Sequence, residues 1–238
     1  INNYRRNDWK PYVFKTNNYG RSWKSIANEE DVWGHALSFV QDPIEPNLQF
    51  LGTEYGLYVT LDNAKTWTKW TSGYPTVSTM DLKIHPREHD LVIGTFGRAA
   101  YILDDIRPLR EMASTKKDLM KKTLHFFEPP TAVMAINRQA SGTRFEANAI
   151  FAGKNRGRGA MLTLVFNPDK KKKEKPKKDN GDKKEKPGNK KEKITMEVID
   201  EDGNVIRTVK HNVEAGINRV YWGLQRKGVR SHNAPKPT

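Results

Sequence analysis

Short apolar runs separated by Gly, Pro, Asn and Asp dominate roughly the first hundred residues of the chain. Runs of a few residues with this punctuation are typical of β-strands. The pattern predicts strands over residues 36–40, 49–53, 56–60, 66–70, 80–84, 91–95 and 99–103. The first part of the chain is therefore predicted to be all-β, with short strands joined by tight turns.

These runs recur at a constant spacing. Trp23 and Trp67 are 44 residues apart, and Gly52 recurs 42 residues later as Gly94. A period of about 40–45 residues is that of a four-stranded propeller blade. Residues 1–107 are therefore interpreted as about two and a half blades of a β-propeller. Because an open ring leaves strand edges unpaired, we expect other blades to come from sequence outside this chain.

Residues 108–122 interrupt the strand pattern. Pro108 is followed by a charged stretch that is compatible with a helix. We predict a connector with a short helix here.

A second all-β module is predicted over residues 123–238. Candidate strands lie at residues 124–127, 132–136, 149–152, 160–166, 194–199, 205–209 and 216–224. Asp202-Gly203 stands between two apolar runs, and Asp-Gly is a strong signal for a tight hairpin. About seven short strands predict an immunoglobulin-like or jelly-roll β-sandwich.

The formal net charge of +14 is unevenly distributed. Residues 169–193 hold 13 Lys against six acids, a net +7, and contain no aliphatic residue. A segment of this composition cannot bury enough apolar surface to offset its chain entropy. We therefore predict a disordered, lysine-rich loop over residues 167–193 that interrupts the sandwich. Its lack of aromatic side chains for base stacking and its interleaved acids make nucleic acid an unlikely partner.

Cysteine is absent, which excludes a disulfide framework, a thiolate zinc site and a cysteine nucleophile. No run approaches the roughly 18 apolar residues that a membrane-spanning helix needs, so no transmembrane segment is predicted. The chain begins with Ile1 rather than Met, and we expect it to start in the interior of a longer protein.

One turn motif occurs twice at the spacing of the repeat. Its members are Thr16, Asn18, Gly20, Ser22 and Trp23 in the first copy, and Thr60, Asp62, Ala64, Thr66 and Trp67 in the second. In a tight turn, an Asp or Asn side chain accepts hydrogen bonds from backbone N–H groups a little further along, and Gly permits a positive φ. The hydroxyl can close the turn, and the Trp can pack the hairpin against its sheet. The motif therefore predicts a structural role for all ten residues rather than catalysis.

This motif resembles the Asp-box, or BNR repeat, whose pattern is Ser/Thr-x-Asp-x-Gly-x-Thr-Trp. Each copy departs from it once, with Asn18 for Asp and Ala64 for Gly. Residues 52–59, 94–109 and 218–222 also resemble the last blades and the following sandwich of large exported bacterial proteins. These carry sortilin-type propellers and are often labelled glycosyl hydrolases. The resemblance implies a secreted, periplasmic or outer-surface protein.

Candidate binding residues are Glu54, Tyr55, Phe96 and Arg98, which follow strands in Gly-containing turns and are predicted to face the propeller channel. A glycosidase needs two carboxylates about 5–9.5 Å apart across the substrate. Glu54, Asp81, Asp104 and Asp105 are available, but no signature pairs them, and none assigns Arg98 or Tyr55 the duties they would have in a sialidase. No catalytic residue is therefore predicted.

A metal site is not predicted either. His85 and His89 are four residues apart, a spacing that suits zinc only on a helix, and Pro86 places them in a turn. We interpret both as solvated loop histidines, and we expect no cofactor.

The sequence alone leaves two functions open. The leading hypothesis is a non-catalytic binding or scaffolding portion of an exported propeller protein. Its partners would be the remaining blades of the parent chain and a protein, peptide or glycan ligand. The alternative is part of a sialidase-like glycoside hydrolase whose catalytic residues lie on blades outside this sequence.

Overall fold

The computed structural model describes residues 1–115, 119, 122–134, 156–168, 192–226 and 228. The chain divides into two compact units, Ile1–Leu119 and Met120–Thr238. All strand pairs in the described residues are antiparallel and form several small sheets, so the predicted all-β class is confirmed. The predicted strand over residues 149–152 and residues 169–191 of the lysine-rich segment lie outside the described part.

The first unit contains nine strands in its described residues. They are β1 (Phe14–Lys15), β2 (Lys24–Ser25), β3 (Ala36–Gln41), β4 (Gln49–Thr53), β5 (Gly56–Thr60), β6 (Thr68–Lys69), β7 (Thr79–Ile84), β8 (Leu91–Thr95) and β9 (Ala100–Leu103). β1 and β2 form a two-stranded sheet, β3 to β6 a four-stranded sheet, and β7 to β9 a three-stranded sheet, each in chain order. A short 3-10 helix, Tyr4–Arg6, precedes them.

The two larger sheets repeat the same pairing in detail. β3 and β4 shift register between Ala36 and Ser38, and β7 and β8 shift register at the corresponding place. Beyond each shift, Gly52 lies opposite Ser38 and Gly94 opposite Asp81. The sequence period is thus also a period of the fold.

The middle of the four-stranded sheet is the centre of this unit's core. Every residue of β4 and β5 is buried. Leu51 and Tyr58 pack with Trp67 and two residues that precede β3, Ala27 and Val32. Because both strands are covered on two faces, their sequences are nearly continuous apolar runs.

Helix α1 (Arg107–Ser114) follows β9 in this unit. Pro108 lies in its first turn, where the N–H that proline lacks would have no helical partner. The helix begins before the stretch that we predicted to be helical, and Leu109, Met112 and Ala113 are buried. It packs as part of the first unit because those apolar residues, together with Arg110, lie on its covered side.

The second unit contains β10 (Leu124–Phe126), β11 (Ala160–Phe166), β12 (Glu192–Ile199), β13 (Val205–Val213) and β14 (Gly216–Trp222). One sheet has the order β10-β11-β14, and β12 and β13 form a hairpin. Met196 and Val209 of the hairpin pack against Leu162 and Val220 of the sheet, so the unit's core lies between the two.

The hairpin turn has the conformation that Asp-Gly predicts. Gly203 has φ +84°, and its N–H donates to the Asp200 carbonyl at 3.0 Å.

Two sequence-based expectations in this unit are wrong. Residues 192 and 193 were assigned to the lysine-rich loop but pair with Val213 and Asn212 in β12. Residues 132–134, within a predicted strand, are not in a strand.

Candidate binding site

The two turns that resemble the Asp-box have closely similar hydrogen bonds. In the first, Asn18 Oδ1 accepts from the Ser22 N–H at 2.9 Å, and Thr16 Oγ1 accepts from the Gly20 N–H at 2.9 Å. In the second, Asp62 Oδ1 accepts from the Lys65 and Thr66 N–H groups, both at 3.0 Å. The polar atoms of both boxes are therefore engaged within their own turns.

Backbone conformation explains the small residue in each box. Gly20 has φ +85° and Ala64 has φ +60°, so both occupy the left-handed region. Gly adopts this region without steric penalty, whereas Ala does so at a cost of roughly 1–2 kcal/mol. Ala64 therefore keeps the backbone conformation that Gly20 has in the first copy, with some strain.

The two motif tryptophans are placed differently. Trp67 is 7% exposed, and its Nε1–H donates to the Ile26 carbonyl at 2.7 Å. Trp23 is 61% exposed. The expectation that a motif tryptophan packs against its own hairpin's sheet therefore does not describe Trp23, because β1 and β2 form a sheet of only two strands.

The four predicted binding residues lie in two equivalent turns. Glu54 and Tyr55 form the β4–β5 turn, and Phe96 and Arg98 lie in the β8–β9 turn. The turns are linked, since the Phe96 N–H donates to the Ser78 carbonyl at 3.0 Å and Ser78 Oγ donates to the Glu54 carbonyl at 3.2 Å. The four residues therefore lie at one common end of the two sheets.

Glu54 pairs with a histidine rather than with a second acid. Its Oε2 lies 3.2 Å from Nδ1 of His35, which is 5% exposed. Tyr4 stacks on the His35 ring at a centroid distance of 4.8 Å, and Trp9 lies at 5.5 Å. Glu54 therefore lies beside a buried histidine that is flanked by aromatic rings.

Beside this contact is a cleft of about 390 Å³. Its lining consists of Trp9, Pro11, Glu29, Val32, Trp33, Gly34 and Tyr55. We call the part formed by Trp9, Glu29, Trp33 and Tyr55 the aromatic cleft. Trp33 is 70% exposed, Trp9 44% and Tyr55 42%, so three large rings reach solvent together.

Backbone features place Tyr55 and Trp33 beside the cleft. Gly34 has φ +79°, and a Cβ there would lie 2.6 Å from Tyr55 Cδ2, so only glycine lets the Tyr55 ring lie this close. The Trp33 N–H donates to the buried hydroxyl of Tyr58 at 3.0 Å.

At the opposite end of the strands, Arg110 joins three elements. Its Nη2 lies 2.8 Å from Asp42 Oδ2, and its Nη1 lies 3.0 Å from His89 Nδ1. Partial burial, followed by the charges of Arg110 and Arg107, lowers the pKa of His89. The interpretation of His89 as a solvated loop residue is therefore wrong, because it is half-buried and contacts the helix.

Sequence reasoning missed Trp9, Glu29, Trp33 and His35 as site residues. They lie outside the regular strands and carry no motif spacing. The available signal was the run of Trp33-Gly34-His35 directly before a predicted strand, which places an aromatic residue and a histidine at the same end as Glu54.

Two other features are absent from the described residues. None of the helices that the structure describes has the length and apolarity required to cross a membrane. Within the same residues, no group of three or more His, Asp or Glu side chains is arranged to hold a metal ion.

Comparison with known proteins adds no relative. No family model matches the chain. No curated protein matches it, and no solved structure does.

Proposed function

We propose that the first unit is part of an Asp-box β-propeller in which the sheets β3–β6 and β7–β9 are successive blades. The common strand order, the matching register shifts and the period near 43 residues support this arrangement. The second unit would be the immunoglobulin-like or jelly-roll sandwich that follows such propellers. A secreted, periplasmic or outer-surface location follows from the same resemblance.

The internal repeat also suggests what β1 and β2 represent. Phe14 and Trp23 correspond to Tyr58 and Trp67 in the next repeat. The first pair is 41% and 61% exposed, whereas the second is 3% and 7% exposed. The difference is that β5 pairs with β4, while β1 pairs with β2 alone. β1 and β2 would thus be the outer strands of a further blade.

The function that the site supports best is non-catalytic binding of a protein or peptide at the aromatic cleft. The observation that carries this proposal is the joint exposure of Trp9, Trp33 and Tyr55 around one cleft. Aromatic residues are enriched at the energetic centres of protein interfaces because each buries a large area with little entropy loss.

Two carboxylates of the unit are engaged within the fold, Asp62 by its own turn and Asp42 by Arg110. Glu54 lies beside a histidine, with Oε2 3.2 Å from His35 Nδ1. A glycosidase would need two such groups directed at one substrate.

The test is to screen the purified chain against peptide and glycan arrays, and then to measure each binder by calorimetry. Trp33→Ala and Tyr55→Ala should each lower the affinity for a peptide ligand by roughly tenfold or more, as expected for interface anchors. Trp23→Ala is the matched control, since it removes an exposed tryptophan that does not line the cleft.

Two results would contradict this proposal. One is that the cleft variants bind every array hit as well as the wild-type chain. The other is hydrolysis of nitrophenyl glycosides by the chain that Glu54→Gln abolishes.

A further inference from the structure

We infer that the aromatic cleft binds a cationic group, the ammonium of a Lys or the guanidinium of an Arg side chain on its protein or peptide ligand. This inference rests on the binding function proposed above and names the chemistry that the same cleft recognises.

The aromatic rings of the cleft form a surface that can contact a cation from more than one side. Trp33 and Tyr55 have centroids 5.9 Å apart and planes inclined at 51°, so they form two walls of a corner rather than one flat surface. Trp9 lines the same cleft. The face of an aromatic ring carries partial negative charge and attracts a cation placed within about 6 Å of its centroid.

The cleft also carries a negative charge at its lining. Glu29 is the one charged residue among those that line it. The next two residues, Glu30 and Asp31, are also acidic and exposed. Asn28 Oδ1 accepts from the N–H groups of Glu30 and Asp31 at 3.0 and 2.9 Å, which holds this acidic turn in place. A cation can both contact the faces of these rings and form an ion pair with the Glu29 carboxylate.

The chain's own cations already make both kinds of contact nearby. Lys10 Nζ lies 3.6 Å from Glu29 Oε2, with both side chains more than half exposed. The Arg5 guanidinium lies 5.9 Å from the centroid of the Tyr4 ring. An exposed pair such as Lys10–Glu29 is worth at most about 1 kcal/mol, so a ligand cation that also contacts the rings can displace Lys10.

The experiment uses the full 238-residue chain and three capped tripeptides, Gly-Lys-Gly, Gly-Arg-Gly and Gly-norleucine-Gly. Norleucine presents a similar apolar stem without the charge. Binding is followed by two-dimensional NMR of the tryptophan indole N–H groups. We expect the Lys and Arg peptides to shift the Trp33 signal saturably, and the norleucine peptide to bind at least about fivefold more weakly, the effect of a cation–π contact near 1 kcal/mol.

Two neighbouring acids provide a matched pair of variants. Glu29→Gln should lower the affinity for the Lys peptide by roughly threefold or more. Glu30→Gln should change this affinity by less than about twofold, because Glu30 does not line the cleft. Lys10→Ala should leave the affinity unchanged or raise it, because it removes a competing cation.

The outcomes separate this inference from the proposed function. Equal binding of the norleucine peptide, or equal effects of the two Glu variants, would overturn the inference of a cation site. Binding of a neutral oligosaccharide at Trp33 with no response to the Lys or Arg peptide would also overturn it, while leaving a binding function in place. If neither the tripeptides nor the array ligands depend on Trp33, the proposed binding function fails as well.

Discussion

Arg110 and Asp42 form a buried ion pair between residues 68 positions apart, with Nη2 and Oδ2 separated by 2.8 Å. Asp42 also accepts from the N–H groups of Ile44 and Glu45, so its carboxylate organises the β3–β4 turn while it holds helix α1. Arg110→Met removes one partner and leaves a buried carboxylate without its counter-charge. We expect a loss of about 3–5 kcal/mol in the free energy of unfolding, measured by urea denaturation.

A matched control is Arg87→Met. Arg87 pairs with Glu88 at 2.7 Å on the surface, where its side chain is 82% exposed. Such pairs contribute about 0–1 kcal/mol. If the two arginine variants lose the same stability, the buried pair does not have the role described here.

The second prediction concerns the acid sensitivity of the turn around Asp62. Partial burial alone would raise the pKa of Asp62, but hydrogen bonds from Thr66, Thr60 and Lys65 outweigh it and hold the pKa below its ordinary value. The stability from these bonds is therefore present above the unfolded pKa of about 3.9 and is lost as the pH falls through the lower folded value. Asp62→Asn should lower the free energy of unfolding by about 1 kcal/mol at pH 7 and by progressively less below about pH 4.

The first box shows why this substitution is informative. Asn18 makes the corresponding bond to the Ser22 N–H, so an amide fits the turn. Urea titrations of both proteins from pH 7 to pH 2.5 provide the measurement. A stability difference that stays constant across this range would show that the Asp62 charge does not stabilise the turn.

The third prediction compares two equivalent glycines. A Cβ on Gly52 would meet Ser38 Oγ and would lie 2.6 Å from the Thr79 carbonyl oxygen, at the contact between the two larger sheets. A Cβ on Gly94 would meet Asp81 Cβ at 3.5 Å, an ordinary contact. Gly52→Ala should therefore destabilise by about 1–3 kcal/mol, as overpacking does, while Gly94→Ala should be close to neutral or slightly stabilising. Thermal unfolding of the two variants, followed by circular dichroism, gives the comparison, and similar melting temperatures would refute it.

The fourth prediction uses the two motif tryptophans. Trp67→Ala removes a buried ring and the hydrogen bond to Ile26, and we expect a loss of about 3–5 kcal/mol. Trp23→Ala changes a side chain that is 61% exposed and should alter stability by less than about 0.5 kcal/mol. Denaturant unfolding monitored by far-ultraviolet circular dichroism avoids the loss of tryptophan fluorescence. A large loss for Trp23→Ala would mean that this side chain is covered in solution.

The local features of this protein were determined by its sequence alone. The positions of most strands, the hairpin at Asp202-Gly203 and the two turns that resemble the Asp-box depend on residues within about one turn of each other, where φ preferences and short-range hydrogen bonds decide the conformation. The spacing between repeats located Glu54 and Phe96 in equivalent turns before their contacts were known.

Only the tertiary structure decided which distant residues meet. Trp23 and Trp67 share one motif, yet their exposure differs because their neighbouring strands differ. The aromatic cleft combines Trp9, Trp33 and Tyr55. Arg110 reaches Asp42 across 68 residues. Such contacts depend on how sheets and loops pack, and this packing is set by the summed dihedral angles of the whole intervening chain rather than by any local pattern.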